Sequence, residues 1–416
     1  MRFRFTGLWR HRDFKRLWLG GAVSSFGSQI TLLALPLTAV LVLDATPLQM
    51  GILAAAGSAP ALMFGLGAGV WVDRKKKRPI MIATDYGRAV LLLAVPVSVA
   101  FDVLRIEYLY VVALAVGMLS LLFGIASRSM LPSLVTQEEL VEANSKLAVG
   151  RSASEVTGPG VSGVLVQLFT APVALIVDAL TFVASAIAVQ SIRTPEPEPM
   201  PSTGQGLLQE ALRGLAFIRR SRVLMPLAGA IAGVAIFNAM FEAAWLLYVS
   251  KELGLEPVTF GIMFSTGGLG FLLGALLADR LIRRTGIGRA VFLGVVMAAL
   301  SDLATPLAGG SVVAIVALLM VASFAFGIGA TVFRVAQVSL RQASTPMSLQ
   351  GRMNGAMNSL EVGLVPVGAL VGGVLGELIG LRPTLFLAAG GELAAALWIL
   401  LSAVWSMHDL PTPSDE

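Results

Sequence analysis

The chain has 416 residues, of which 56% are hydrophobic and 13% charged, and its mean hydropathy is +0.82. This composition excludes an ordinary soluble protein and is typical of a chain folded in lipid. The formal net charge of +5 is concentrated in short segments between apolar runs, so it indicates membrane orientation rather than nucleic-acid binding.

Apolar runs long enough to cross a ~30 Å hydrocarbon core recur along the whole chain. The first, residues 17–43, is too long for the apolar part of a signal peptide, and we predict that it is retained. We predict twelve membrane helices in an all-α fold, the other eleven near 47–72, 79–101, 107–130, 146–169, 172–192, 223–249, 257–280, 288–308, 311–334, 353–377 and 382–406.

Lysine and arginine are unevenly distributed between the two sets of loops. The side that carries both termini holds 27 of the 30 cations, and the opposite side holds only Arg105, Lys251 and Arg382. Because Lys and Arg are enriched in cytoplasmic loops, we predict that both termini are cytoplasmic.

One long connector separates the sixth and seventh predicted helices. Its proline-rich start, 195–201, predicts an extended spacer, and apolar residues at helical spacing over 208–218 predict an amphipathic helix on the inner leaflet. We therefore expect an N-terminal six-helix bundle (1–192), a cytoplasmic linker (193–222) and a C-terminal six-helix bundle (223–416).

The two bundles are related by an internal repeat. Landmarks in the second, fourth and fifth helices recur at nearly constant offset in the eighth, tenth and eleventh, and Pro159 recurs as Pro366. The basic segment 69–79 likewise has a diluted copy at 275–284, which predicts a second basic loop. Parallel six-helix repeats are typical of transporters whose two halves rock around a substrate site.

The basic turn after the second helix carries the most specific motif: a Gly, three residues, Asp-Arg and then further cations. It resembles the signature of the major facilitator superfamily, although Lys76 stands in the position of a second glycine. The resemblance implies that this turn and its copy line a cytoplasmic gate. The predicted gate residues are Gly69, Asp73, Arg74, Lys77, Arg78, Arg128, Asp279, Arg280 and Arg334.

Four short stretches, 128–135, 142–145, 340–343 and 351–354, resemble the branch of this superfamily that contains macrolide-efflux proteins and enterobactin exporters. The resemblance covers nearly the whole chain. It implies a secondary exporter of drugs, natural products or siderophores in the bacterial cytoplasmic membrane, which works by rocker-switch alternating access and proton antiport.

The fifth helix contains Gly158, Pro159 and Gly163, which partly resemble an antiporter signature, with Ser162 in place of one of its glycines. Proline removes a backbone hydrogen bond and glycine permits close packing. These residues predict either a hinge near the gate or a close contact with a neighbouring helix.

Ionisable residues inside membrane helices each cost about 2.5 to 3.5 kcal/mol at the helix centre, so each is a candidate site. Asn238, Glu242 and Trp245 share one face of the seventh helix, as in a site for an amphipathic cation or a proton. The alternative is that Glu242 is merely hydrated near the outer end of its helix. The other proton candidates are Glu155, Glu361 and Asp178.

Local spacing and the resemblance rank these acids. Arg151 precedes Glu155 by one helical turn, and Asp85 precedes Arg88 by three residues, so both pairs favour structural salt bridges. Glu361 is favoured because the eleventh helix borders the cavity in the family. The sixth and twelfth helices, which carry Asp178 and Glu392, usually lie outside it.

The sequence lacks the parts of an enzyme. It has no phosphate-binding Gly-x-x-x-x-Gly-Lys-Ser/Thr loop and no cysteine, and both histidines, His11 and His408, lie in terminal flanks. We expect no cofactor and no metal, and a monomer whose partners are an amphipathic small molecule, protons and the lipid bilayer. Two alternatives stay open, a lipid or lysolipid translocase of the same fold and a membrane sensor that transports nothing.

Overall fold

A computed structural model describes residues 8–196, 216–346 and 349–409, which contain helices and connecting turns and no strand. The α-helices are α1 (Arg12–Val42), α2 (Pro47–Asp73), α3 (Lys77–Ala100), α4 (Ile106–Met130), α5 (Leu140–Phe169), α6 (Ala171–Gln190), α7 (Leu224–Leu247), α8 (Pro257–Thr285), α9 (Ile287–Leu307), α10 (Val312–Ala343), α11 (Gln350–Gly363), α12 (Val365–Ile379) and α13 (Leu381–Leu400). A π-helical turn, Tyr248–Glu252, extends α7.

The helices are long because few residues interrupt the apolar runs, and they end where the backbone turns sharply. α8 and α9 are joined by the single residue Gly286, whose φ of 90° lies in the left-handed region that favours glycine. Gly380, with a φ of 91°, plays the same part between α12 and α13.

Within the described ranges, 11 helical segments are long and apolar enough to cross a membrane, with α11 and α12 counted as one. α5 is long enough, but its first 16 residues include the charged residues Glu142, Lys146, Arg151 and Glu155. The predicted all-α membrane fold is thereby confirmed.

The first of two compact units comprises residues 1–45 and 59–204. In it α6 packs against both α1 and α3, α5 packs against α1, and α4 packs against α3. Large side chains such as Phe14, Leu17 and Met81 are fully buried where these helices meet.

The second unit comprises residues 46–58 and 205–416. Its helices repeat the arrangement of the first, because α13 packs against both α7 and α9 as α6 packs against α1 and α3. The first part of α2 belongs to this unit and approaches α12 closely, since a Cβ on Gly51 would lie 2.6 Å from the carbonyl oxygen of Ala369. Small residues allow such contact between helix backbones.

Two predictions about the elements are wrong. The eleventh predicted helix is two helices, α11 and α12, separated at Leu364. Pro366 explains the break, because it lacks an N–H and its ring restricts the residue before it. The expected second basic loop at 275–284 is helical, since α8 runs to Thr285 and no residue that ends a helix occurs before Gly286.

The predicted amphipathic helix of the linker lies almost entirely outside the described residues. Its last part, 216–220, is helical.

Candidate functional site

The basic turn between α2 and α3 is fastened to the chain that follows α6. The backbone N–H groups of Lys77 and Arg78, the first of α3, donate to the two carboxylate oxygens of Glu196, at 2.5 and 2.9 Å. The Arg78 guanidinium also donates to the carbonyl oxygen of Gln190. Lys76, the capping residue, provides no side-chain acceptor of its own, so Glu196 satisfies amides that the helix leaves free.

The same chain segment is held at the start of α1. The carboxylate of Asp13 accepts from the backbone N–H groups of Arg193 and Thr194, at 3.0 and 2.8 Å, and from the Thr194 hydroxyl at 2.7 Å. Asp13 and Glu196 therefore fasten residues 193–196 to the starts of α1 and α3 within the first unit. Sequence reasoning missed both Asp13 and Glu196. The prolines around Glu196 indicate only an extended spacer and not a helix cap.

The predicted gate residues of the first unit lie at or near helix ends, and their side chains are exposed or half-buried. Asp73 is the last residue of α2, and its carbonyl oxygen accepts from Lys77 Nζ at 2.9 Å. Arg128 is exposed in the last turn of α4. A Cβ on Gly69 would meet no atom within 4 Å among the described residues, so packing inside this unit does not require a glycine there.

The corresponding residues of the second unit are arranged differently. Asp279 forms an ion pair with Arg283, one turn further along α8, and both side chains are exposed. Arg280 and Arg334 are exposed on α8 and α10. The second copy of the motif is thus a charged helix end and not a turn.

A buried charged network occupies the interior of the first unit. Arg88 and Asp85 on α3 form an ion pair with at most 3% of either side chain exposed, as the spacing predicts. The Arg88 guanidinium lies over the rings of Phe182, 4.0 Å from the centroid, and Phe123, at 4.6 Å. Such stacking stabilises a cation away from water.

Asp178 on α6 completes this network. It accepts hydrogen bonds from the Thr31 hydroxyl of α1 and from the Thr181 hydroxyl, the latter at 2.9 Å. Arg88 attracts it electrostatically. The proton candidate Asp178 therefore has two hydroxyl donors and a neighbouring cation, which offset part of the cost of burying its carboxylate.

In the described part of the second unit, buried acids lie together without a cation beside them. The carboxyl groups of Glu392 of α13 and Asp302 of α9 lie within hydrogen-bonding reach of each other, and the side-chain amide of Asn238 on α7 donates to Glu392. Glu392 is 2% exposed and Asp302 7%. Asp302 Oδ2 and Glu392 Oε1 have no hydrogen-bond partner in the described part of the chain.

Glu242 lies one turn beyond Asn238 on α7 and is exposed, while its charge acts on Asp302 and Glu392. The next turn carries Trp245, whose ring packs edge-on against Phe264 of α8 at 5.3 Å between centroids, and against Phe260 at 6.1 Å. The predicted face of α7 therefore carries an acid, Glu242, and an amide, Asn238, next to an aromatic cluster.

Sequence reasoning missed Asp302 and set Glu392 aside. Asp302 carried a detectable signal, since it is the only ionisable residue between Arg289 and the end of the ninth predicted helix. Glu392 was set aside because the twelfth helix usually lies outside the cavity, and that rule says nothing about contacts inside one bundle.

The two remaining proton candidates have cations nearby. Glu155 accepts from Arg151 at 2.8 Å, with 40% of its own side chain exposed, which is the predicted structural salt bridge. Glu361 on α11 is half-buried and attracts Arg341 of α10.

Helix α5 passes close to α1 at the predicted hinge. A Cβ on Gly158 would lie 2.6 Å from Gln29 Cβ, and the Ser162 hydroxyl donates to the carbonyl oxygen of Ile30 at 3.3 Å. Pro159 and Gly163 are buried in the same turns of an uninterrupted helix. Close packing is therefore present, and bending at Pro159 stays a prediction.

Comparison with known proteins agrees with this architecture. The family described as Major Facilitator Superfamily matches residues 17–366. Multidrug efflux pump Tap of Mycolicibacterium fortuitum is 28% identical over 380 residues, 87% of this chain and 88% of Tap. Macrolide efflux protein A of Streptococcus pyogenes is 23% identical over 383 residues, 89% of this chain and 90% of that protein.

Among solved structures, nucleoside transporter NupG has the same fold, with a TM-score of 0.79 at 13% identity over 95% of this chain and 99% of NupG. The expected resemblance to macrolide-efflux proteins and the absence of an enzymatic role are confirmed. The chain belongs to the major facilitator superfamily and is a multi-pass transporter of the bacterial cytoplasmic membrane.

Proposed function

We propose that this transporter exports amphipathic small molecules by rocker-switch alternating access, driven by proton antiport, as a monomer with both termini in the cytoplasm. The observation that carries the proposal is the face of α7, where the exposed acid Glu242 lies beside the aromatic cluster of Trp245, Phe260 and Phe264. The acid can pair with the cationic group of a substrate, and the aromatic rings can pack against its apolar part.

The names of the relatives support the cargo class. Tap is named a multidrug efflux pump and the streptococcal protein a macrolide efflux protein. Proton antiport would supply enough energy for export, since one charge crossing ~100 mV yields about 2.3 kcal/mol and a tenfold gradient costs about 1.4 kcal/mol.

We assign the cytoplasmic gate to the basic turn and to the charged end of α8. In the first unit Glu196 and Asp13 hold the chain next to this turn, which supports a rigid role for it. Gly158, Pro159 and Gly163 would let α5 move against α1 while the gate opens.

Transport in proteoliposomes tests the proposed function. Wild-type protein with an imposed pH gradient should move ethidium, an amphipathic cation, and erythromycin, a macrolide, and Glu242→Gln should reduce ethidium transport by about tenfold or more. Glu107→Gln, an exposed acid at the start of α4, is the matched control. Failure of the wild type to move either compound, together with an unchanged Glu242→Gln variant in cells, would overturn the proposal.

Lipid translocation is a second candidate function. A groove of about 540 Å³ between α9 and α10 is lined by apolar side chains such as Leu293, Leu300 and Val321, and an acyl chain would fit such a surface. Flipping of a fluorescent lysolipid in the same vesicles separates this function from drug export. Inactivity with every compound and lipid would favour the sensor alternative instead.

A further inference from the structure

In each of the two bundles, the first and the last membrane helix meet at a buried polar cluster. In the first unit Thr31 of α1 donates to Asp178 of α6, and in the second Asn238 of α7 donates to Glu392 of α13. Thr31 and Asn238 are separated by the same number of residues as Pro159 and Pro366, the landmarks of the repeat. The two donors therefore occupy corresponding positions in the repeat, whereas the two acceptors, Asp178 and Glu392, are 214 residues apart.

The clusters differ in charge. The third helix of the first unit contributes both an acid and the cation Arg88, whereas the corresponding helix of the second contributes only Asp302. Glu242 adds a further acid. The first unit thus places one fixed guanidinium beside its two buried carboxylates, Asp85 and Asp178, whereas the described part of the second unit places no cation beside its buried acids.

The buried pair of Asp302 and Glu392 requires a bound proton, because its negative charge has to be compensated. An ionised carboxylate only accepts hydrogen bonds, so a hydrogen bond between Asp302 and Glu392 needs a proton on one of them. Two ionised carboxylates in contact and away from water would also repel each other strongly. One oxygen of each group, Asp302 Oδ2 and Glu392 Oε1, is buried and accepts no hydrogen bond within the described residues, so the amide of Asn238 is the donor that the pair has.

The described residues around Asp302 and Glu392 provide no positive charge that would balance the pair. Among the described residues, Glu242 is the further titratable group whose charge acts on the pair. The other charged residues of the helices around the pair, within the described residues, lie near the helix ends or in other turns: Lys251 and Glu252 in the π-helical turn after α7, Asp279, Arg280, Arg283 and Arg284 on α8, Arg289 on α9, Arg334 and Arg341 on α10, Glu361 on α11, Glu377 on α12, and Arg382 on α13. No group of acids and histidines in the described ranges suits a metal ion.

We propose that Asp302 and Glu392 form the proton-binding site of the C-terminal bundle and that it exchanges its proton with water through Glu242. When a proton enters, an O–H bond of Glu242 breaks and an O–H bond forms on the pair, which leaves Glu242 as a carboxylate ready for the next proton or for a cationic substrate. Asn238 donates a hydrogen bond to Glu392 and thereby connects the pair to the face of α7 that carries Glu242. The use of this proton for coupling rests on the proposed antiport, but its binding does not.

Infrared spectroscopy tests the binding site without any substrate. Full-length protein reconstituted in lipid at neutral pH should show the C=O absorption of a protonated carboxyl group. Asp302→Asn and Glu392→Gln should each remove or shift the same band, because the two residues share one proton, and Glu107→Gln should leave it unchanged. Absence of the band from the wild type, or a band that stays as in the wild type in either variant, would contradict the proposal.

Transport then tests the role of the proton. In the Asp302→Asn and Glu392→Gln variants, ethidium accumulation driven by a pH gradient should fall by about tenfold or more, while ethidium exchange without a gradient should stay within about twofold. Unchanged driven transport, or an equal loss of exchange and driven transport, would overturn the coupling role. A wild type that moves no ethidium would overturn the proposed function, and the infrared band would still decide the proton site.

Discussion

Glu196 accepts a hydrogen bond from the first backbone N–H of α3, that of Lys77, at 2.5 Å, although the two residues belong to different segments of the chain. A carboxylate at a helix N-terminus satisfies free amides and interacts favourably with the helix dipole. The start of the connector after α6 is thereby part of the structure of the basic turn.

Removal of this cap should weaken the turn. We expect Glu196→Ala to destabilise the start of α3 by about 1 kcal/mol, since a lost N-terminal cap costs roughly that amount. Hydrogen exchange of the Lys77 and Arg78 amides should become faster. Glu138→Ala, an exposed acid before α5, is the control, and equal protection in both variants would show that Glu196 does not cap the helix.

The buried pair of Arg88 and Asp85 should be costly to break and cheap to replace. Asp85→Asn should lower the unfolding free energy by about 3 to 5 kcal/mol, because it leaves Arg88 buried without its partner. The double variant Asp85→Leu with Arg88→Met should recover most of this loss.

Denaturation of the purified protein in detergent measures these differences. The exposed pair of Arg151 and Glu155 provides the comparison, since Arg151→Met should cost no more than about 1 kcal/mol. A double variant as unstable as Asp85→Asn would mean that the network has a further structural role.

Gly158 should not tolerate a larger residue. A Cβ would lie 2.6 Å from Gln29 Cβ, so Gly158→Val should push α5 away from α1 and cost about 1 to 3 kcal/mol. Gly124 on α4 has no atom within 4 Å of the corresponding position in the described structure, and Gly124→Ala should be neutral or slightly stabilising. Thermal unfolding in detergent compares the two, and similar melting temperatures would contradict the close contact.

The two copies of the gate motif should differ in importance. Asp73 ends a helix at a turn that other segments hold in place, whereas Asp279 is paired with Arg283 on an exposed helix surface. We therefore expect Asp73→Asn to reduce transport more than Asp279→Asn. Ethidium efflux at matched expression measures both variants, and equal losses would refute the ranking.

The sequence by itself determined the helices and the family. Membrane helices are readable because the bilayer requires a long apolar run for each crossing, which is a local property of the chain. The salt bridges Arg151–Glu155 and Asp85–Arg88 were also predictable, since residues three or four apart share a helix face. The break at Leu364 was missed because a proline within an apolar run is compatible with a continuous membrane helix as well as a broken one.

Only the tertiary structure decided which distant groups meet. Asp302 and Glu392 lie on different helices, and their contact depends on how each helix is rotated about its axis, which packing sets and hydropathy does not record. The same holds for Glu196 at the start of α3. The sequence therefore indicated that the membrane helices contain acids. The packing of α7, α9 and α13 decided that Asp302 and Glu392 share one site.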